Sequence, residues 1–341
     1  MRRLFALSGV VVCGLAAAVV LVVGGGSASA AHPIDALLQG TFTMKGKVTV
    51  AAHVYGEHAG QHVTRSWTFV PGCSAGGCQK VVLKRFRSKR HVLDTITLHR
   101  QSPGVYAGKH RFWLALRCGS ALVKHGGYGN ETITVKIVRA VVNGGTRQAT
   151  GIRASYDNPS RYNETRCPGG IGHDAATYRG QLNTTAFAST SKGGYLILTA
   201  DGGVFKFGKA ALHGSDARKL PLGVRAVRLA VDAGSGGYWV LKSNGGVDGF
   251  GAPVQGSLAG KLHGTRPVSI AAAPGKGYWI LTSNGGVHSY GGAGWHGSDA
   301  GKLGRGMSAV SLAADPATGG YWILKSNGGV DGLGAPSLGG L

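Results

Sequence analysis

The feature that most constrains the fold is a fourfold repeat in the C-terminal half of this 341-residue chain. Tyrosines recur there at intervals of 43, 40 and 43 residues, at Tyr195, Tyr238, Tyr278 and Tyr321. Six residues after each tyrosine comes a glycine-rich turn, which begins at Asp201, Asn244, Asn284 and Asn327. A period of about 40 residues is typical of proteins that stack copies of one supersecondary unit.

Each unit can be divided into short strands. An apolar strand comes first, and a GYWIL-type strand follows it. An Asn-Gly or Asp-Gly pair then favours the positive φ angles of a tight hairpin turn. A GGV-containing strand and a last short strand lead to a Gly-Ser corner. Four short strands in about forty residues is the layout of a propeller blade, so residues 186–341 are predicted to form a four-repeat β-propeller-like domain.

The repeat units resemble the GYW…NGGV…FG…GS repeats of secreted actinobacterial proteins, over about residues 186–341. The first unit departs from this pattern, because Leu196 stands where the others have Trp239, Trp279 and Trp322. The resemblance implies a non-catalytic extracellular module, and it supplies no active-site residues.

The N-terminus has the pattern of an export signal. Two arginines precede an apolar run from Leu4 to Val23, and Ala28-Ser29-Ala30 fits the small-residue cleavage site of a signal peptide. We expect residues 1–30 to be removed and the protein to be secreted, either free or associated with the cell wall. An uncleaved membrane anchor is the alternative, since twenty apolar residues also suffice to cross a bilayer.

Four cysteines remain after the signal, and an even number in an exported chain favours two disulfides. Three pairings are conceivable, of which we favour Cys73 with Cys78 and Cys118 with Cys167. A four-cysteine zinc site is the weaker alternative, because the paired C-x-x-C spacing is missing. We therefore expect no metal.

Residues 31–185 are predicted to form a separate, disulfide-containing β-domain. Up to residue 187 this part of the chain carries 21 basic and 7 acidic side chains, a formal charge of +14. Its β-branched, partly alternating segments predict an antiparallel β-sandwich or barrel. The clearest of these segments span residues 46–53, 63–70, 91–98, 111–116 and 131–141.

The densest basic segment spans residues 80–91, with the sequence KVVLKRFRSKRH. Such a cluster can bind phosphate or carboxylate polymers, and arginine adds bidentate geometry. A solvated hairpin between two strands is the equally weighted alternative. The residues that we expect to contact an anionic polymer are Lys84, Arg85, Arg87, Lys89 and Arg90. Sequence-specific nucleic-acid binding is not expected, because no reading helix or RNA-binding signature is present.

Aromatic residues of the repeats offer a second candidate surface. The paired Tyr-Trp positions could stack on sugar rings, but packing between the units is the stronger interpretation, because burying one large side chain contributes about 2 kcal/mol. Trp295 lies outside this repeated position, and we therefore choose it as the candidate exposed stacking residue.

Catalytic motifs are weak. Ser74 lies in a G-x-S-x-G match, but a glycine-rich loop replaces the strand and helix that a nucleophile elbow requires. Gly292-x-Gly294-x-x-Gly297 lacks the helix of a dinucleotide site, so no cofactor is expected. The sequence therefore favours a non-enzymatic binding or structural protein that associates with anionic cell-envelope or extracellular material. A protein partner and oligomerisation are left open. The alternative is an exported hydrolase acting on cell-wall or peptide substrates, with Ser74 as its nucleophile.

Overall fold

The computed structural model describes residues 32–54, 57–86, 93–118, 121–163, 172–275 and 277–341. Within this part of the chain, residues Pro33–Leu341 form one compact unit. Every regular element found there is a β-strand, which confirms the predicted all-β class. The predicted signal sequence lies outside the described residues.

Eight antiparallel strands form a closed barrel, so of the two architectures predicted for the basic domain the barrel is the one observed. Each strand pairs with its neighbour along the chain, and β1 pairs with β8 to close the ring. The strands are β1 (Gly40–Ala52), β2 (His62–Pro71), β3 (Lys80–Phe86), β4 (Leu93–Ser102), β5 (Val105–Cys118), β6 (Ala121–Asn143), β7 (Thr146–Asn163) and β8 (Gly172–Leu182).

Alternating residues of each barrel strand point inward, as the period of two requires. The interior is apolar near the end that holds the β2–β3, β4–β5 and β6–β7 turns. Segment 34–38 covers this end. Its Ile34 N–H donates to Ile137 O at 2.9 Å, and the Leu37 N–H donates to Arg147 O at 2.8 Å. Ala36, Leu37 and Leu38 are buried in the same core as the inward barrel residues. The polar side chains of the interior therefore lie toward the opposite end.

The four repeat units form four three-stranded antiparallel sheets, one after another. A fourth strand was expected in each unit, but the segments before the Gly-Ser corners are loops in the described residues. Their strands are β9 (Thr184–Thr190), β10 (Gly194–Thr199), β11 (Val204–Gly208), β12 (Ala226–Val231), β13 (Tyr238–Lys242), β14 (Val247–Phe250), β15 (Pro267–Ala272), β16 (Gly277–Thr282), β17 (Val287–Gly291), β18 (Ala309–Ala314), β19 (Tyr321–Lys325) and β20 (Val330–Leu333).

The repeated tyrosines connect each unit to the one before it. The Tyr238 hydroxyl donates to Gly214 O at 2.5 Å, and that of Tyr278 donates to Gly256 O at 2.5 Å. In both cases the acceptor is the glycine of the preceding Gly-Ser corner. Tyr321 repeats the contact with Gly297 O at 2.6 Å. Because all three rings are buried, the tyrosines hold successive sheets together.

The first sheet packs directly on the barrel. Asn143, in the β6–β7 hairpin, donates from Nδ2 to Val204 O at 2.9 Å and accepts from the Lys206 N–H at 3.2 Å. Phe205 is buried in the barrel's own apolar core. The barrel thus packs against the first sheet in the way that each sheet packs against the one that follows it.

Candidate anion-binding surface

The predicted basic segment begins on β3, where its two described candidates point in opposite directions. Lys84 points outward and is half-buried. Arg85 points inward with the same parity as Val81 and Leu83, and only 7% of its surface is exposed. This corrects the expectation that Arg85 contacts a polymer, since its guanidinium is inside the barrel. Arg87, Lys89 and Arg90 lie outside the described residues.

Arg85 belongs to a buried ion network, formed with Asp94, His110 and Glu131. Its Nε donates to Asp94 Oδ2 at 3.0 Å, and its Nη2 donates to Glu131 Oε1. The His110 ring bridges the same two carboxylates, with Nε2 3.3 Å from Asp94 Oδ1 and Nδ1 3.2 Å from Glu131 Oε1. Register explains the assembly, because Arg85 pairs with Asp94 across β3–β4 and His110 pairs with Glu131 across β5–β6.

The network has the donor spacing of a metal site, but its chemistry favours ion pairing. One ligand atom each from Asp94, His110 and Glu131 lies within 4.8 Å of the others. The Arg85 guanidinium, however, already lies against both carboxylates. A metal ion would have to displace this buried cation, so the residues present do not fit a metal centre.

A second polar group lies beside this network on β7 and β8. Asp174 accepts from the Tyr156 hydroxyl at 2.7 Å and from Asn158 Nδ2 at 2.8 Å. Burial, together with the hydrogen bond to the Asp174 carboxylate, raises the pKa of the Tyr156 hydroxyl well above its ordinary value. The tyrosine therefore remains a neutral hydrogen-bond donor to Asp174.

The exterior of the barrel carries a basic belt, defined here as Lys45, Lys136, Arg153 and Arg179. These four residues occupy directly opposed positions on four adjacent strands. Lys136 pairs with Arg153 across β6–β7, Arg153 with Arg179 across β7–β8, and Arg179 with Lys45 across β8–β1. Three strand spacings of about 4.8 Å give the belt a length of about 14 Å.

The belt places four positive charges next to one another. Directly opposed side chains of neighbouring strands lie close together, and like charges at such positions are destabilising. None of the four belt residues forms an ion pair with a carboxylate in the described part of the chain. Three are exposed, and Arg153 is half-buried. A line of single positive charges, rather than a pocket, matches an extended polyanion better than one isolated phosphate.

The sequence does not reveal the belt, because the four residues are scattered over 135 positions of the chain. No two of them are neighbours in sequence, so no basic run exists there. Only the strand register brings them together. The alternation of inward and outward residues along each strand predicts that these side chains point outward. The sequence does not specify which strands are adjacent.

The predicted Cys73–Cys78 disulfide is present, with a Cα–Cα distance of 5.6 Å, and closes the β2–β3 loop. Cys118 ends β5, whereas Cys167 lies outside the described residues, so their predicted pairing stays a prediction. Ser74 is exposed inside the disulfide loop. Among the described residues, no hydrogen bond joins its hydroxyl to a histidine, and its role as a nucleophile stays a prediction.

The repeat aromatics are mostly buried. Tyr238, Trp239, Tyr278 and Trp279 are at most 2% exposed. Trp239 Nε1 donates to Pro253 O at 2.9 Å, within its own unit. These contacts favour packing over ligand stacking. Trp295 is instead 65% exposed.

Two sheet interfaces contain a close pair of acids. Asp216 is 4% exposed and lies against Asp248, whose two carboxylate oxygens both accept from Lys242 Nζ at 2.7 Å. Burial, followed by the hydrogen bond and charge of Asp248, raises the pKa of Asp216 to about 7. One repeat pair later, burial and the nearby Asp331 likewise raise the pKa of Asp299.

Comparison with protein-family models found no matching family, and comparison with curated proteins found no matching sequence. Within the part of the chain that the structure describes, no helix combines the length and apolarity needed to cross a membrane. The belt and its register are therefore the main structural guide to function.

Proposed function

We propose that this chain is a secreted, non-enzymatic binding protein that associates with anionic polymers of the cell envelope or extracellular matrix through the basic belt. The proposal is based on one observation, that four positive side chains lie directly opposite one another on adjacent strands. Arg85 is excluded as a contact because it is buried in its ion network, whereas contact by Lys84, Arg87, Lys89 and Arg90 stays a prediction.

The charge distribution supports this function. The chain holds 37 basic and 14 acidic residues. Three of these acids, Asp94, Glu131 and Asp174, are buried inside the barrel. These three acidic side chains are thus withdrawn from the barrel surface, while the belt residues point outward. The exposed Asp35 and Asp157 each lie in an ion pair. A surface of one sign attracts an oppositely charged polymer and speeds its association, with a strength that falls as salt increases.

The second part of the proposal concerns the repeats. We infer that the four sheets are successive blades of a propeller-like arrangement, because the first strands β9, β12, β15 and β18 pack against each other in order. The tyrosine contacts to the preceding corners make this stack rigid. In this function the repeats act as a scaffold attached to the barrel, and the barrel itself binds the polymer.

Charge reversal of the belt tests the proposal. We expect the double variant Arg153→Glu and Arg179→Glu to weaken binding to linear polyphosphate at least about tenfold at low ionic strength, because two attractive charges become repulsive. Binding would be measured by fluorescence anisotropy of labelled polyphosphate over a salt series. The wild-type affinity should fall steeply as salt screens the belt.

A matched control separates the belt from net charge. Lys192→Glu together with Lys261→Glu changes the net charge equally, at exposed positions of the repeats. This variant should bind polyphosphate within about twofold of wild type. An equal loss in both double variants would show that only total charge matters and would reject the belt. Absence of wild-type binding at low salt would reject the polyanion function itself.

A further inference from the structure

The outer face of the β5–β6 hairpin carries a second surface, which consists of aromatic and basic side chains. Along β5 these outward residues alternate with residues that point into the barrel. On β5, Lys109, Arg111 and Trp113 point outward, whereas His110 and Phe112 point into the barrel. We define the basic–aromatic ridge as these three outward residues with their neighbours on β6, His125 and Tyr128.

The ridge is held in a fixed geometry by ring contacts. Tyr128 is the direct cross-strand partner of Trp113, and their ring centroids are 5.9 Å apart in an edge-to-face arrangement. The His125 ring lies 5.5 Å from Trp113 on the hairpin. The Arg111 guanidinium carbon lies 4.1 Å from the Tyr128 ring centroid, within cation–π range. The cationic fork therefore sits beside the indole rather than moving freely in solvent.

Trp113 remains 50% exposed in spite of these contacts. Large aromatic side chains gain most from burial, and a half-exposed indole keeps an open apolar face. The C–H faces of a pyranose ring carry slight positive charge and fit the negative face of an aromatic ring, by the same electrostatic rule that governs aromatic pairs. A sugar ring is thus the chemical group that this face accommodates.

The ridge and the belt meet on β6. Lys109 pairs opposite Thr132 on β6, four residues from the belt's Lys136, which corresponds to about 13 Å along the strand. The only acidic residue of β5 and β6 is Glu131, which points inward and is 2% exposed. A polymer lying on the belt can therefore continue over the ridge without meeting a negative charge on these two strands.

We propose that the ridge stacks the rings of an acidic polysaccharide, with Trp113 on a pyranose face and Arg111 against an acidic group of the ring. This rests on the proposed polyanion function and makes it more specific. The preferred polymer is one that bears its negative charges on sugar rings, and a bare polyphosphate, which has no ring to stack, uses the belt alone.

The experiment compares two polymers with the full chain. We expect Trp113→Ala to weaken binding to polygalacturonate about tenfold and to change binding to polyphosphate by less than about twofold. Trp113→Phe should retain most of the polygalacturonate affinity, since it keeps an aromatic face. Phe187→Ala removes an aromatic side chain of the first repeat sheet that is 75% exposed, and it should leave both affinities unchanged. Thermal unfolding of each variant checks that the barrel is intact.

The other outcomes overturn the proposal in distinguishable ways. Equal losses for both polymers would mean that Trp113 only maintains the surface, and no loss would mean that the ridge is not used. A loss with Trp295→Ala instead would place the sugar contact on the repeats. Wild-type protein that binds polyphosphate but not polygalacturonate would reject the ridge and leave the belt standing. Binding to neither polymer would reject the proposed function as well.

Discussion

Replacing Arg85 with methionine is expected to lower the free energy of unfolding of the barrel by about 3–5 kcal/mol, the usual cost of removing one partner from a buried ion pair. Methionine matches the apolar stem of arginine but removes the cation that lies against Asp94 and Glu131. The low polarity of the interior makes these two carboxylates costly to keep ionised without that cation. Urea unfolding would measure the loss.

Lys84→Met is the matched control, because Lys84 is the preceding residue of the same strand and points outward. Its effect should stay within about 0.5 kcal/mol, as for most surface substitutions. Arg85→Lys should fall between the two, since it keeps the charge but loses the geometry that reaches both carboxylates. Hydrogen exchange on β3–β6 would assign the loss to the barrel. A change below about 1 kcal/mol for Arg85→Met would contradict a buried network that stabilises the fold.

Arg85 shows which structural features the sequence can predict and which it cannot. The run of basic residues at 84–90 predicted a surface that contacts a polymer, and for Arg85 this prediction is wrong. The alternation of Val81, Leu83 and Arg85 is the signal that could have placed this side chain inward. What the alternation does not reveal is the partner. Asp94 is nine residues away on the next strand, but Glu131 is 46 residues away, and only closure of the barrel brings them together.

The repeats were more predictable because their determinants are local. Each tight turn requires a residue with positive φ, and glycine adopts it without strain. Gly202 and Gly245 both have φ of 86° in the turns that the spacing predicted. Four strands per unit were predicted and three are observed, because the segments before the corners donate backbone hydrogen bonds to the next unit's tyrosine hydroxyl instead of pairing as strands.

Asp216→Asn is expected to remove a pH-dependent loss of stability from the repeats. An acid whose pKa in the folded state is about 7, against about 3.9 in the unfolded chain, takes up a proton on folding at intermediate pH. Its favourable contribution is complete below about pH 4 and is lost as the pH rises to about 7, at about 1.4 kcal/mol per pH unit. Asparagine mimics the protonated acid at every pH, because its amide can donate to Asp248.

Urea unfolding at pH 5 and pH 8 distinguishes the outcomes. At pH 8 the Asp216→Asn variant should be more stable than wild type by about 2–4 kcal/mol, and at pH 5 the gap should shrink. Asp299→Asn should act in the same direction at its own interface, and the two gains should add because the sites share no partner. Asp232→Asn is the control, since Asp232 accepts from the Gly234 N–H and the Ser235 hydroxyl in a turn that asparagine also supports. The prediction would be contradicted by a stability difference between variant and wild type that is equal at both pH values, or by a variant that is less stable than wild type at pH 8. Either result would mean that Asp216 is ionised and compensated by Lys242 and Lys219, so that the acid pair does not destabilise the fold.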